Sequence, residues 1–173
     1  MNARRSSWSI RPKGERDADA VAALLAGVAR EGGFIATEWP FDVDERAHAM
    51  REALLARRCV GWIALDGREV VGDLTVVDVT QEEPELGMIV AAPYRGRGIG
   101  RALLDSAFAW ARANAKPALT LRVFPDNEPA RALYRNTGFV DVVLQSAAIF
   151  RRDGSARDAI VMRRPIAEPV AGR

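Results

Sequence analysis

Hydrophobic positions change period repeatedly along the chain, and each change marks the edge of a predicted element. Trp8 and Ile10 alternate with polar neighbours over residues 7–11, which predicts a first strand. Val21, Leu24, Leu25 and Val28 then recur at helical spacing over residues 17–30, and Gly32-Gly33 stops that helix. Residues 34–41 are apolar and aromatic without a period; Asp44 after them reads as the cap of a second helix carrying Ala47, Met50 and Leu54. Residues 60–65 and 70–79 are β-rich runs joined by Asp66-Gly67-Arg68, a hairpin signal, and the turn Gln81-Glu82-Glu83-Pro84 leads into a fourth strand over residues 85–90. A glycine-rich turn follows, and then Ile99, Leu103, Ala107, Phe108 and Ala111 line one face of a long helix that ends at Lys116-Pro117. Residues 119–123 form a fifth strand, and strand, crossover helix and strand predict a right-handed parallel pair between the fourth and fifth strands. A turn over 124–129, a short helix over 130–136 closed by Gly138, a long strand over 139–150, a hairpin turn at 152–155 and a last strand over 159–162 complete the pattern. The tail from Pro165 reads as loose. The predicted fold class is mixed α/β (α+β): a mostly antiparallel sheet of about seven strands with flanking helices.

Composition narrows the class. A chain of 173 residues buries roughly two thirds of its unfolded surface, enough for one core, so one domain over 1–173 with its core at about 7–164 is expected. No apolar run approaches the ~20 residues needed to cross a bilayer, and the two early arginines, Arg4 and Arg5, are not followed by an apolar segment of the secretory kind. The expectation is a cytoplasmic protein without a membrane partner. Cys59 is the single cysteine, set among Val60, Trp62 and Ile63, and is read as a buried thiol. His48 is the single histidine, so no metal site is expected. The formal charge of +2 is spread among acidic neighbours rather than gathered in a stripe, which argues against a nucleic-acid partner.

The candidate chemistry begins at the fourth strand. Glu85-Leu86-Gly87-Met88-Ile89-Val90 runs into Ala91-Ala92-Pro93-Tyr94-Arg95-Gly96-Arg97-Gly98-Ile99-Gly100-Arg101 and then into the long helix. Glycines let the backbone of such a turn approach a ligand, and the first helical turn points unpaired N–H groups back at it, so the loop suits a phosphate. The dinucleotide fingerprint requires a third glycine at a position this loop lacks, and Arg101-Ala102 stands where a nucleotide-triphosphate loop carries Lys-Ser/Thr.

Arg95-x-x-Gly98-x-Gly100, preceded by Val90-x-x-Pro93-x-Arg95, resembles the acyl-CoA pyrophosphate loop of the Gcn5-related N-acetyltransferase (GNAT) superfamily. Asn127-x-x-Ala130-x-x-Leu133-Tyr134-x-x-x-Gly138-Phe139 resembles that superfamily's later segment, in the same order and at the matching distance, and the resemblance spans about residues 7–164. It implies that the parallel fourth and fifth strands splay, that acetyl-CoA is the cosubstrate, and that a primary amine is acetylated. Arg95, Gly96, Arg97, Gly98, Ile99, Gly100 and Arg101 would hold the pyrophosphate. The backbone of Met88, Ile89 and Val90, with Asn127, would hold the pantetheine arm. Tyr134 would protonate the leaving thiolate, its phenol being protonated at neutral pH. Glu85 would be the base, with Glu83, Asp78 or water as alternatives.

For the acceptor, Glu38 would attract an ammonium group, Trp39 and Phe41 would wall a pocket, and Arg151 or Arg152 would meet a carboxylate. The expected partner is a small-molecule primary amine or amino acid, with a peptide N-terminus as the alternative. A non-catalytic acyl-CoA-binding protein on the same fold is a further alternative, and a homodimer through the terminal hairpin is a possible assembly.

Overall fold

Alternating segments far apart in the sequence come together in one sheet. The computed structural model describes residues 8–166. Strands β1 (Trp8–Pro12), β2 (Cys59–Asp66), β3 (Glu69–Val77), β4 (Glu85–Val90), β5 (Ala118–Val123), β6 (Val140–Phe150) and β7 (Ala156–Pro165) form a seven-stranded sheet in the order β1-β2-β3-β4-β5-β7-β6. Its neighbours are antiparallel except for the parallel β4–β5 pair, as the crossover helix requires. The helices are α1 (Ala18–Glu31), α2 (Val43–Leu55), α3 (Ile99–Ala113) and α4 (Glu128–Asn136).

Helix α3 buries Ile99, Leu103, Leu104, Ala107, Phe108 and Ala111 against Leu74, Val76, Leu86, Leu119 and Leu121 of the sheet. Each of the Ile, Leu, Val and Phe side chains contributes about 1.5–3 kcal/mol when taken out of water, which makes this contact the main core. A separate small cluster of Ala18, Ala22 and Ala47 joins α1 to α2, and α1 also packs on β3 and β4. Cys59 is buried, as read.

Several boundaries differ from the sequence reading. Asp42, not Asp44, caps α2: its backbone is extended and its side chain accepts the Glu45 N–H at 2.9 Å, while Asp44 already lies in the first turn. Strand β3 stops at Val77 because Asp78 turns left-handed, with φ 51°. Helix α4 starts at Glu128 rather than at residue 130, with Asn127 as its cap. Strand β7 begins at Ala156 because Arg157, polar enough to read as turn, joins the Asp126 carboxylate at 2.7 and 2.8 Å. Pro165 closes that strand and Ile166 is buried, its N–H bonded to Pro117 O at 2.8 Å; Ser7 and the tail beyond Ile166 lie outside the described residues.

Candidate active site

The site starts where β4 and β5 part. Glu85 and Thr120 are the one registered pair between them, and the Thr120 N–H donates to Pro84 O at 3.1 Å. Beyond this apex the parallel strands diverge, so the backbone of Met88, Ile89 and Val90 is laddered to β3 alone on that stretch. An extended, amide-bearing arm can add itself to such an edge as a short strand would.

The glycine-rich loop lies at the open end of this V. Val90 leads through a single 3-10 turn, Ala92–Tyr94, into the loop, and Gly98 at the N-cap of α3 has φ 85°, a left-handed conformation that side-chain-bearing residues adopt at a cost. The first helical bond runs from the Ala102 N–H to Gly98 O at 3.1 Å, so the N–H groups of Ile99, Gly100 and Arg101 have no helical acceptor. These donors and the positive end of a 15-residue helix fit an anion. A Cβ on Gly100 would stand 2.9 Å from Leu133 Cδ2 and 3.4 Å from Met88 Cε, so this glycine lets α3, α4 and β4 converge.

The basic side chains of the loop are already engaged. Arg95 donates from Nε to Val90 O at 2.9 Å and pairs with Glu31 of α1 at 2.7 and 3.0 Å; it braces the loop against the strand end. Arg97 lies over the Tyr94 ring at 5.2 Å, and the Tyr94 hydroxyl donates to Asp66 at 3.0 Å. Arg101 pairs with Asp105 at 3.3 Å. These pairs are exposed, and an exposed pair is worth about 0–1 kcal/mol, little enough for a phosphate to displace.

On α4, Asn127 Oδ1 accepts the Ala130 N–H at 3.3 Å, which leaves the Asn127 amide NH2 available to a ligand. Tyr134 is 7% exposed and packs edge-on against Phe139, with ring centroids 5.7 Å apart. Burial pushes its phenol up to about 12, and among the described residues its hydroxyl makes no side-chain hydrogen bond. A protonated phenol with a free donor is the form that delivers a proton.

At the apex, Glu85 Oε1 accepts from Arg122 Nε at 3.0 Å, a partner that sequence reading missed although a lone arginine inside the apolar strand 119–123 was its signal. The competing acids differ. Glu83 is held by Arg163 at 2.6 and 2.9 Å, and that bonding draws its carboxyl below the usual range; Asp78 sits in the turn after β3. Of the three, Glu85 is the one that belongs to the registered pair, while Glu83 is held beside it through Arg163, the β7 partner of Thr120.

The residues assigned to the acceptor form a second group. Glu38 accepts the Arg152 N–H at 2.9 Å and lies 3.8 Å from Arg151, whose guanidinium also donates to Ile35 O and Ala36 O at 3.2 and 3.4 Å. Trp39 packs edge-on with Phe41 at 5.6 Å and is covered by Arg30 at 3.9 Å. Through their bonds to backbone groups, Glu38 and Arg151 clasp the 34–41 segment to the β6–β7 hairpin. Two clefts, of about 410 and 520 Å³, lie elsewhere, one around Lys13 and Trp62 and one between α1 and Ala91–Pro93.

Comparison with known proteins bears on the family and the fold. The model of the acetyltransferase (GNAT) family matches residues 29–139. A stretch of 76 residues is 42% identical to N-alpha-acetyltransferase RimI of Mycobacterium tuberculosis, covering 44% of this chain and 44% of that protein. The chain spans less than half the length of the curated relatives it matches. The structure of yncA from Salmonella typhimurium with its cofactor acetyl-CoA superposes with a TM-score of 0.80 at 20% identity, over 97% of this chain and 99% of that one. Phosphinothricin acetyltransferase from Sinorhizobium meliloti in complex with acetyl-CoA gives 0.78 at 22% identity, over 96% and 92%. At such identities the structural likeness establishes the fold.

Proposed function

The chain belongs to the acetyltransferase (GNAT) family, and on that premise we propose that it moves an acetyl group from acetyl-CoA to a primary amine by direct attack in a ternary complex. The observation that carries this reading is the single registered pair Glu85–Thr120, beyond which two parallel strands part above a helix N-terminus that fits an anion. The loop over Arg95 to Arg101 holds the pyrophosphate, and the β4 backbone with Asn127 takes the amide-bearing arm.

Acetyl-CoA supplies the thioester. The neutral amine nitrogen attacks its carbonyl carbon; the new C–N bond forms as the C–S bond breaks. Glu85 takes the nitrogen's proton, directly or through water, and Tyr134 gives its phenolic proton to the departing sulfur before regaining one from solvent. An amide and a free thiol result. Holding both reactants at the apex also turns a bimolecular encounter into a local one.

The acceptor is a small-molecule primary amine or an amino acid. A peptide N-terminus is the second reading, favoured by the identity to a protein named as an N-alpha-acetyltransferase. Release of thiol from acetyl-CoA, measured against free amino acids, polyamines, aminoglycosides and short peptides with blocked side chains, tests both. Turnover with free amino acids or amines supports the first reading. Turnover with peptides alone supports the second, and acetyl-CoA binding without turnover of any amine overturns the enzymatic reading.

A further inference from the structure

Strand β4 stands fourth among seven, yet Gly87 in the middle of it is exposed. A glycine inside a strand needs a reason, since it weakens the strand relative to alanine. Backbone conformation does not supply one, because Gly87 is not among the glycines with positive φ. Packing does not supply one either: a Cβ on Gly87 would meet nothing within 4 Å, whereas on Gly72 of the neighbouring strand it would stand 3.0 Å from Ile99 Cγ2. The protein leaves room above Gly87 that no part of the described chain fills.

The surroundings of that room follow from sheet register. Thr75 is the registered partner of Gly87, and Glu85 and Ile89 share its face two residues to either side. Helix α3 does not cover that room, because it lies on the opposite face with Leu74, Leu86 and Met88. Toward β5 the strands have begun to part, and the Glu85–Arg122 pair closes the apex with side chains 37% and 45% exposed. A carboxylate and a guanidinium thus stand together at the edge of an open glycine floor.

We propose that Gly87 is the floor on which the acceptor lies, and that the acceptor is a zwitterionic amino acid whose ammonium turns to Glu85 and whose carboxylate turns to Arg122; Glu85 takes one ammonium proton to leave the neutral amine that attacks, and the second nitrogen proton passes through water to solvent as the amide forms. This rests on the acetyltransferase reading and deepens it. The substrate enters by exchanging ion pairs: the Glu85–Arg122 contact opens and each partner takes the opposite end of the amino acid, so no charge is left unpaired. The body of the molecule needs the space a side chain at 87 would occupy.

The test uses Gly87→Ala, Gly87→Val and Arg122→Gln in the full-length protein. Alanine and valine should leave the melting temperature unchanged or raised, and acetyl-CoA affinity by calorimetry within about twofold. The acceptor KM should rise stepwise, by about tenfold or more for valine, with a smaller change in kcat. Wild-type protein should prefer an amino acid to the corresponding amine without its carboxylate, and Arg122→Gln should erase that preference. Wild-type turnover of amino acids with an unchanged acceptor KM in both Gly87 variants would overturn the floor and leave the acetyltransferase reading standing. Loss of folding in both Gly87 variants would show a structural glycine and overturn it as well. A wild-type protein that releases no thiol with any amine overturns both readings.

Discussion

Lys13 Nζ lies 2.7 Å from Asp73 Oδ1, with the lysine side chain fully buried and the aspartate 9% exposed. Thr75 completes the group: its hydroxyl contacts the Lys13 ammonium and donates to Asp73 Oδ2 at 3.0 Å. Burial holds the Asp73 carboxyl above its usual range, against the pull of Lys13. Lys13→Met strands a buried carboxylate and should cost about 3–5 kcal/mol. The sign of its pH dependence is set by Asp73: with the folded carboxyl raised further, the folded state binds more protons than the unfolded one, so stability falls as pH rises from the ordinary carboxylate range. Denaturant unfolding of Lys13→Met should therefore show recovery toward acid pH, and Lys13→Met with Asp73→Leu should regain most of the loss at neutral pH.

Glu85→Gln removes the proposed base while keeping the shape and a hydrogen-bonding group for Arg122. It should lower kcat by about 10²-fold or more with acetyl-CoA affinity unchanged. Steady-state kinetics beside calorimetry separates the two, and equal kcat would assign proton removal to water or to Glu83.

The elements were legible because their signals are local. Val21, Leu24 and Val28 repeat within one helix, Gly67 turns one hairpin, and the loop around Gly98 is read from consecutive residues. Reading Asp44 rather than Asp42 as the α2 cap was wrong because both precede the same apolar stripe and only backbone conformation distinguishes them. Lys13 and Asp73 are 60 residues apart, and Glu38 and Arg152 are 114 apart; no periodicity connects them. What the sequence did contain was a charge inside an apolar strand, at Asp73 and again at Arg122. A charge in such a place requires a partner, and the fold chooses it.

Tyr134→Phe keeps the buried ring and deletes the donor. Turnover should fall by about 10²-fold under conditions where chemistry limits the rate, with acetyl-CoA affinity held. Because burial carries the wild-type phenol up to about 12, the residue stays protonated through any working pH. The wild-type rate should accordingly show no alkaline fall attributable to this phenol below about pH 11. A fall near pH 10 that disappears in Tyr134→Phe would show a phenol less buried in solution than its 7% exposure implies.

Gly98 and Gly100 lie two residues apart but resist substitution for different reasons, and this predicts different kinetics. At Gly98 the backbone is left-handed at φ 85°, and a new Cβ would meet only Trp8 Cζ2 at 3.9 Å, an ordinary contact. Gly98→Ala therefore strains the loop by about 1–2 kcal/mol and turns the N–H groups away from the phosphate, so it should weaken acetyl-CoA binding before it changes anything else. At Gly100 the obstacle is Leu133 Cδ2 at 2.9 Å, and Leu133 precedes Tyr134 on α4. Gly100→Ala should push α4 away from α3, displace the phenol and lower kcat more than it weakens binding. Calorimetric titration with coenzyme A and kcat measured on both variants provide the check. Equal losses of affinity and turnover in the two would mean that the glycines act only as parts of one anion loop, and that contact between Gly100 and Leu133 does not position Tyr134.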